Sequence, residues 1–263
     1  MKHLILIISI TLFYFNAMAQ IPNSNIHTEL ISYKDGDVEL QGYLSYDETL
    51  NSQRPGVLVV HEWMGLNEYA KHRADMLAEL GYVAFAVDIY GKNNIPTSMQ
   101  EAATTAGNFK NDRQLLRRRI LLGLDELKKR PNVDVNKIAA IGYCFGGTTV
   151  LELARTGADI KGVVSFHGGL DTPTPEDAKN IKSKVLVLTG GDDPTVPPSQ
   201  VEAFEKEMRD ANVDWQVKVY GGAVHSFSNP ASGNDNSTGV AYNAKADKRS
   251  WEDMKLFFNE IFQ

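Results

Sequence analysis

Short apolar segments typical of buried strands alternate with helical patterns along most of this chain, and this alternation constrains the fold more than any other feature. Residues 57–60 (VLVV) form an unbroken apolar run that ends in a polar turn, as expected for a strand buried on both faces. Similar segments follow at 82–90, 137–143, 160–168, 184–193 and 213–222. This alternation predicts an α/β domain with a mostly parallel central sheet flanked by helices.

The intervals between these segments carry helical periodicity. In the first interval Asn67 is suited to cap the helix and Gly81 to end it. Before the first buried strand, two alternating segments flank Asp35 and Gly36, which predicts an N-terminal antiparallel hairpin. Further helices are predicted at 112–130, 201–211 and 244–262.

Size and charge exclude several classes of protein. A chain of 263 residues with 43% hydrophobic residues can bury one sizeable core, so a single domain over residues 20–263 is expected. The net charge of -6 gives no basic surface for nucleic acid. The only tight cationic run, RRR at 117–119, lies in a helical pattern and is interpreted as a solvated helix face.

The first residues have the pattern of an export signal. Lys2 precedes an apolar run from residue 4 to residue 15, and Ala17-Met18-Ala19 matches a cleavage site, so residues 1–19 are predicted to be removed. The run is shorter than the ~20 residues that a membrane-spanning helix needs. No cysteine follows it for a lipid anchor, so the mature protein is expected in the periplasm or the medium, without a stable membrane anchor.

Cys144 is the only cysteine of the chain, so no intramolecular disulfide can form. It stands in Gly-Tyr-Cys-Phe-Gly (142–146), which fits G-x-nucleophile-x-G and lies between a predicted strand and a predicted helix, where that motif is found. The sharp turn lifts the nucleophile above the carboxyl edge of the sheet, and the N-terminus of the helix favours negative charge there. The alternative is a buried cysteine acting as a small hydrophobic residue.

A thiol nucleophile needs a base and an orienting carboxylate. His225 follows the last predicted strand and Asp193 follows the preceding one, so both belong at the same edge as Cys144. The order nucleophile, acid, base is that of α/β-hydrolases. Asp192 is a competing acid, and either partner could instead be an ordinary loop residue. The backbone N–H groups of Phe145 and Trp63 are expected to form the oxyanion hole.

These motifs resemble those of the dienelactone hydrolase family of the α/β-hydrolase fold. The resemblance rests on GYCFGG (142–147), GDDPTVP (191–197) and HSF (225–227), and runs from about residue 57 to the C-terminal helix. It implies a further acidic residue beside the thiol, which would be Glu62, holding the thiol proton until substrate displaces it. A neutral resting thiol would also be less exposed to oxidation.

The resemblance also bears on the substrate. Family members that act on dienelactone bind its carboxylate with two arginines, and the matching positions here are Lys92 and Asn229. Lysine keeps the charge without the bidentate fork and asparagine is neutral, so the carboxylate clamp is weakened. Dienelactone itself is therefore in doubt as the substrate. Tyr143 is expected to contribute to an apolar pocket rim together with Trp63, Tyr90 and Phe145.

The sequence thus predicts a hydrolase of a small ester or lactone that works through a Cys-His-Asp triad and a thioester. No metal or organic cofactor is called for, and a monomer or small homo-oligomer is expected. The alternative is a non-hydrolytic protein of this fold that binds a ligand or senses peroxide, although a sensor usually needs a second, resolving cysteine. The turn-rich segment 228–239 is predicted to be a mobile surface loop.

Overall fold

The computed structural model describes residues 25–263, so the predicted export signal lies outside the described residues. Their backbone forms one eight-stranded sheet. The strands are β1 (Ile26–Asp35), β2 (Val38–Asp47), β3 (Arg54–Val60), β4 (Val83–Val87), β5 (Val133–Tyr143), β6 (Gly162–Phe166), β7 (Lys184–Gly190) and β8 (Trp215–Tyr220).

The spatial order of the strands is β1-β2-β4-β3-β5-β6-β7-β8. β1 and β2 form the predicted antiparallel hairpin, which turns at Gly36 with φ 59°, and β2 pairs antiparallel with β4. All remaining neighbours are parallel. The prediction of an α/β-hydrolase fold with a mostly parallel sheet and an N-terminal hairpin is confirmed.

Helices cover both faces of the sheet. They are α1 (Glu68–Glu79), α2 (Met99–Asn111), α3 (Arg113–Lys128), α4 (Phe145–Arg155), α5 (Pro198–Asp210) and α6 (Ala244–Ile261). Apolar residues of α1 and α6 pack in the core on one face, and those of α2 to α5 pack on the other. Because both faces are covered, the central strands are apolar throughout, as the runs in the sequence indicated.

Local side chains fix where most helices begin. The side chains of Asn67, Ser98, Asp112 and Asn243 each accept a hydrogen bond from a backbone N–H in the first turn of α1, α2, α3 and α6. The sequence analysis did not predict α2. Its buried face consists of Ala102, Ala106 and Phe109, a pattern with too little apolar volume to stand out. Among the described residues, no helix combines the length and the apolar character needed to cross a bilayer.

Two sequence interpretations are wrong. The run 117–119 is not a solvated face, because Arg119 is 5% exposed and pairs with Asp35, while Arg117 pairs with Glu152. The segment 228–239 is not wholly a surface loop, because its first two residues are buried. The rest of the segment contains two short 3-10 turns, Pro230–Ser232 and Asn236–Thr238.

Candidate active site

Cys144 occupies a sharp turn between the end of β5 and the start of α4, with φ 53° and ψ -113°. Such a conformation is strained for a residue other than glycine. The flanking glycines are required by close backbone approach. A Cβ on Gly142 would lie 2.0 Å from the carbonyl oxygen of Gly146, and one on Gly146 would lie 2.2 Å from that of Val60. The elbow predicted from the glycine spacing is therefore present.

His225 lies between Cys144 and Asp193. Its Nε2 is 3.1 Å from Cys144 Sγ, and its Nδ1 is 2.9 Å from Asp193 Oδ2. Asp193 is buried at 4% exposure, whereas Asp192 is exposed, so the geometry selects Asp193 as the partner of the histidine. The other Asp193 oxygen, Oδ1, accepts hydrogen bonds from the N–H and the hydroxyl of Thr195 at 2.8 and 2.7 Å.

The charges of this group stabilise one another. Burial disfavours the imidazolium of His225, but the neighbouring Cys144 and the hydrogen-bonded Asp193 outweigh it and raise the pKa of His225 to about 10. Burial acts against charge on Asp193 as well, yet His225 and the two Thr195 donors lower the pKa of this carboxyl. The arrangement therefore favours a charged imidazolium facing the sulfur.

The segment after His225 folds back to hold its backbone. The N–H of His225 donates to the carbonyl of Gly239 at 3.1 Å, and the N–H of Ala241 donates to the carbonyl of His225 at 3.1 Å. These two bonds make His225 pair with Val240 like a short parallel strand. The segment predicted as a mobile loop thus positions the histidine.

Glu62 is buried close to the triad but does not contact the sulfur. Its Oε1 accepts from the hydroxyl of Ser226 at 2.7 Å, and its Oε2 accepts from Nδ2 of Asn229 at 2.5 Å. Burial raises the pKa of this carboxyl, and the two donors partly offset the shift. Both oxygens of Glu62 are thus engaged by the His225 loop, and a role for Glu62 in holding the thiol proton stays a prediction.

The two expected oxyanion donors are available. Phe145 is the first residue of α4, and Trp63 lies in the turn after β3. Within residues 25–263, neither backbone N–H has a hydrogen-bond acceptor. An oxyanion hole requires N–H groups of this kind, which are held in place and left unpaired until charge develops.

Two of the residues expected to bind substrate lie elsewhere. Lys92 is exposed and forms a 2.8 Å ion pair with Glu39 on β2, so its charge is already neutralised away from Cys144. Tyr143 is fully buried with its ring stacked on Phe166 at 4.7 Å, because successive residues of a strand face opposite sides of the sheet. Asn229 lies near the site, but its amide is engaged by Glu62.

His167 and its neighbour Ser228 also contact the site, whereas the sequence favoured only ordinary packing or loop hydrogen bonding for this histidine and gave no role to Ser228. The backbone N–H of Cys144 donates to Nδ1 of His167 at 3.1 Å, and Nε2 of His167 lies 2.7 Å from Oγ of Ser228. The only signal in the sequence was a histidine at the end of a buried strand. That position places it at the same sheet edge as the nucleophile.

The model of the dienelactone hydrolase family matches residues 40–262. The chain belongs to the dienelactone hydrolase family. Proteins of this family hydrolyse carboxylic esters and lactones, and that is the reaction class of this chain.

Solved structures and curated relatives agree with this assignment. The structure named m3DLH is 41% identical, covers 90% of this chain and 99% of its own, and superposes with a TM-score of 0.87. The dienelactone hydrolase-like promiscuous phosphotriesterase P91 from metagenomic libraries is 42% identical with the same coverage and a TM-score of 0.85. A Saccharolobus solfataricus protein named for carboxymethylenebutenolidase activity is 27% identical over 88% of this chain and 98% of its own.

Proposed function

We propose that this chain is an exported, cysteine-dependent hydrolase that cleaves a small ester or lactone through Cys144, His225 and Asp193. The observation that carries the proposal is the continuous contact from Sγ of Cys144 through the His225 ring to Asp193, at 3.1 and 2.9 Å. A nucleophile, a base and an orienting carboxylate in this relation are what covalent acyl transfer requires.

In the first half of the reaction, the thiolate of Cys144 attacks the carbonyl carbon and a carbon–sulfur bond forms. The carbonyl electron pair moves to the oxygen, which the N–H groups of Phe145 and Trp63 stabilise. When the intermediate collapses, the carbon–oxygen bond to the leaving group breaks and Nε2 of His225 gives that oxygen its proton. The products are a thioester on Cys144 and an alcohol, which stays attached if the substrate is a lactone.

In the second half, water attacks the thioester carbonyl while Nε2 of His225 takes one of its protons. The carbon–sulfur bond then breaks and returns its electron pair to Cys144 as thiolate, and the carboxylic acid is released. Asp193 keeps Nδ1 of the imidazole protonated and facing away from the sulfur throughout. Glu62 does not take part in these steps. Its carboxylate accepts hydrogen bonds from Ser226 and Asn229 and so stabilises the loop that carries His225.

An uncharged or weakly charged substrate fits this chain better than dienelactone. Beside the elbow, the ring of Tyr90 lies 5.2 Å from those of both Phe145 and Phe109, which gives an apolar wall. An open crevice of about 530 Å³ adjoins Tyr90 and Phe109. Lys92, the residue at one of the two arginine positions of the family, is engaged by Glu39.

The test measures turnover of p-nitrophenyl acetate and of a panel of small lactones by the purified protein and by the variants Cys144→Ala and His225→Ala. Lys206→Ala serves as the matched control because Lys206 is exposed on α5. The proposal requires turnover that both site substitutions abolish and an acyl group on Cys144 detectable by mass spectrometry. Turnover indifferent to Cys144 would contradict the mechanism, and ligand binding without turnover would support a non-hydrolytic binding protein instead.

Phosphotriester hydrolysis is a second candidate activity. It is favoured by 42% identity over 90% of this chain to P91, a promiscuous phosphotriesterase. The same thiolate would attack phosphorus and expel the aryl oxygen. Paraoxon assayed with wild type and Cys144→Ala decides the matter, because release of p-nitrophenol that persists in the variant would exclude a role for this thiol.

Export is supported by the composition of residues 1–19, with a basic start, an apolar run and a small-residue cleavage pattern. Expression of the full chain in a Gram-negative host, followed by fractionation and N-terminal sequencing, tests it. Protein in the periplasm or medium that begins at Gln20 is the expected result. Protein that stays in the cytoplasm with Met1 intact would contradict it.

A further inference from the structure

His167 directly follows β6, contacts the backbone of Cys144 and is fully buried. Its backbone has φ 41°, an uncommon conformation for a residue other than glycine, as does Cys144 itself. The N–H of His167 donates to the carbonyl of Leu188 at 2.8 Å, which fixes the turn to the neighbouring strand. Two strained residues of adjacent strands thus meet at the catalytic edge of the sheet.

The hydrogen bonds of His167 define its proton positions. The N–H of Cys144 donates to the carbonyl of Phe166 at 3.0 Å and also to Nδ1 of His167 at 3.1 Å, so Nδ1 is an unprotonated acceptor. The proton of the neutral ring is therefore on Nε2, which donates to Oγ of Ser228 at 2.7 Å. Burial, together with the nearby charges of His225 and Arg73, lowers the pKa of His167, in agreement with a neutral ring.

Ser228 belongs to the loop that carries His225 and is anchored from the opposite side. Its hydroxyl is 2.7 Å from the hydroxyl of Tyr69, and its carbonyl accepts from Nη2 of Arg73 at 2.7 Å. Arg73 is 4% exposed and also pairs with Asp247 on α6 at 2.6 Å. Ser228 is therefore held by Tyr69 and Arg73 of α1 as well as by His167, and Arg73 is itself held by Asp247.

The ring of His167 also packs against the loop of the base. Its centroid is 5.4 Å from that of His225 with the planes at 70°, and 5.0 Å from that of Phe227 with the planes at 82°. One imidazole thus contacts the backbone of the nucleophile through Nδ1, the loop of the base through Nε2, and the base itself through its ring edge.

We propose that His167 is a positioning residue that couples the nucleophile elbow to the His225 loop through Ser228. The inference rests on the proposed function of Cys144 and His225. The N–H of Cys144 is shared between the carbonyl of Phe166 and Nδ1 of His167, which ties the strained turn that aims Sγ to the His167 ring. The bond to Ser228 ties that ring to the loop that aims Nε2 of His225. The 3.1 Å approach of sulfur to imidazole depends on both being held at once.

Two substitutions separate the two hydrogen bonds. His167→Asn keeps an acceptor oxygen near the position of Nδ1 and suits the left-handed backbone, but it loses the bond to Ser228. Ser228→Ala removes the same bond from the other side together with the contact to the Tyr69 hydroxyl, Tyr69→Phe removes that contact alone, and Ser228→Thr restores the serine hydroxyl. His72→Asn is the matched control, because His72 is exposed on α1.

The measurement is the pre-steady-state burst of p-nitrophenol, which reports two quantities. The burst rate constant reports acylation, and the burst amplitude counts competent sites as long as acylation is much faster than deacylation. We expect both His167→Asn and Ser228→Ala to lower the rate constant about tenfold at full amplitude, since a 1 Å displacement can cost about 100-fold. We expect Ser228→Thr to recover most of the loss and His72→Asn to match wild type.

Non-additivity is the deciding outcome. If His167 acts through Ser228, the double variant should be no slower than Ser228→Ala alone. Additive losses, a reduced amplitude with an unchanged rate constant, or rates equal to wild type would each overturn the proposal. If His167→Asn does not fold, Ser228→Ala still decides it, because its rate constant must fall further below wild type than that of Tyr69→Phe. Absence of Cys144-dependent turnover in wild type would instead refute the proposed function.

Discussion

The two ends of α4 differ in how far their polar groups are paired. At its N-terminus, Cys144 is strained and the N–H of Phe145 has no acceptor within residues 25–263. At its C-terminal end, Arg155 is 1% exposed and its guanidinium is held by two carboxylates, at 3.1 Å from Glu152 and at 2.8 Å from Glu207.

The difference shows how one helix can serve stability and reactivity. Polar groups left unpaired at the N-terminus are costly to the folded state, yet they are what a developing oxyanion requires. Charges buried at the other end contribute little unless every partner is present, and there each partner is supplied. Substitutions at the first end should change rates, and those at the second should change the free energy of unfolding.

The largest effect is expected from Asp193→Asn, which changes the site at the N-terminus of α4 through His225. Without the carboxylate, the Nδ1 proton of His225 loses its acceptor, and kcat should fall by about 10³- to 10⁴-fold. The pKa of His225 should fall below its value of about 10, because Asp193 helps to raise it. The imidazolium of the variant would therefore lose its proton at a lower pH than that of wild type.

This prediction is checked by steady-state kinetics and by ¹⁵N NMR titration of His225 between pH 5 and pH 11. Circular dichroism and thermal melting should show that the fold is kept. An unchanged titration of His225 in Asp193→Asn would show that Asp193 is not its electrostatic partner.

The next largest effect is expected from Arg155→Met at the C-terminal end of α4, where Arg155 is paired with two carboxylates. It leaves Glu207 buried without its partner, while Glu152 keeps a 2.8 Å bond to Arg117. The free energy of unfolding should fall by about 3–5 kcal/mol, as measured by urea denaturation. The second substitution Glu207→Leu should recover most of the loss, because the uncompensated charge is removed with it.

The folded fraction of Arg155→Met should retain wild-type kcat, which keeps the two ends of α4 separate. Lys206→Met, at an exposed ion pair with Asp210, is the control and should cost less than about 1 kcal/mol. A loss of kcat in the folded fraction of Arg155→Met would break the proposed division between the ends.

A smaller effect is expected from the strain at the elbow. Cys144→Ala and Cys144→Gly both remove the thiol, but only glycine adopts φ 53° without strain. The glycine variant should therefore be more stable than the alanine variant by about 1–2 kcal/mol in urea denaturation. Equal free energies of unfolding for the two variants would mean that a Cβ at position 144 adds no backbone strain.

The sequence was sufficient to predict the elbow and to bring Cys144, His225 and an aspartate to one sheet edge, because each depends on local chemistry at a strand end. Glycines at 142 and 146 are dictated by backbone approach, and parallel strands bring Asp193 and His225 to one edge. Sequence spacing alone did not decide whether Asp192 or Asp193 is the partner of His225. The structure favours Asp193 because Asp193 is buried beside the histidine and Asp192 is exposed, and burial depends on the whole fold.

The remaining contacts could not be predicted because they join residues far apart in the sequence. The bond between His167 and Ser228 spans 61 positions, and that between Glu62 and Asn229 spans 167. The paired end of α4 was missed for the same reason. Arg117 was interpreted as solvated because its helical pattern did not indicate that Glu152 lies opposite.

The smallest effect is expected from Lys92→Gln. An unchanged preference between charged and neutral esters would show that Lys92 does not bind a substrate carboxylate. Lys92 is exposed and neutralised by Glu39 at 2.8 Å, so it should not help to bind a substrate carboxylate. The ratio of kcat/KM for p-nitrophenyl hemisuccinate to that for p-nitrophenyl butyrate should stay close to that of wild type, because Lys92 is already paired with Glu39. A selective loss of activity on the anionic ester would show that Lys92 leaves Glu39 when substrate binds, and would restore one half of the carboxylate clamp.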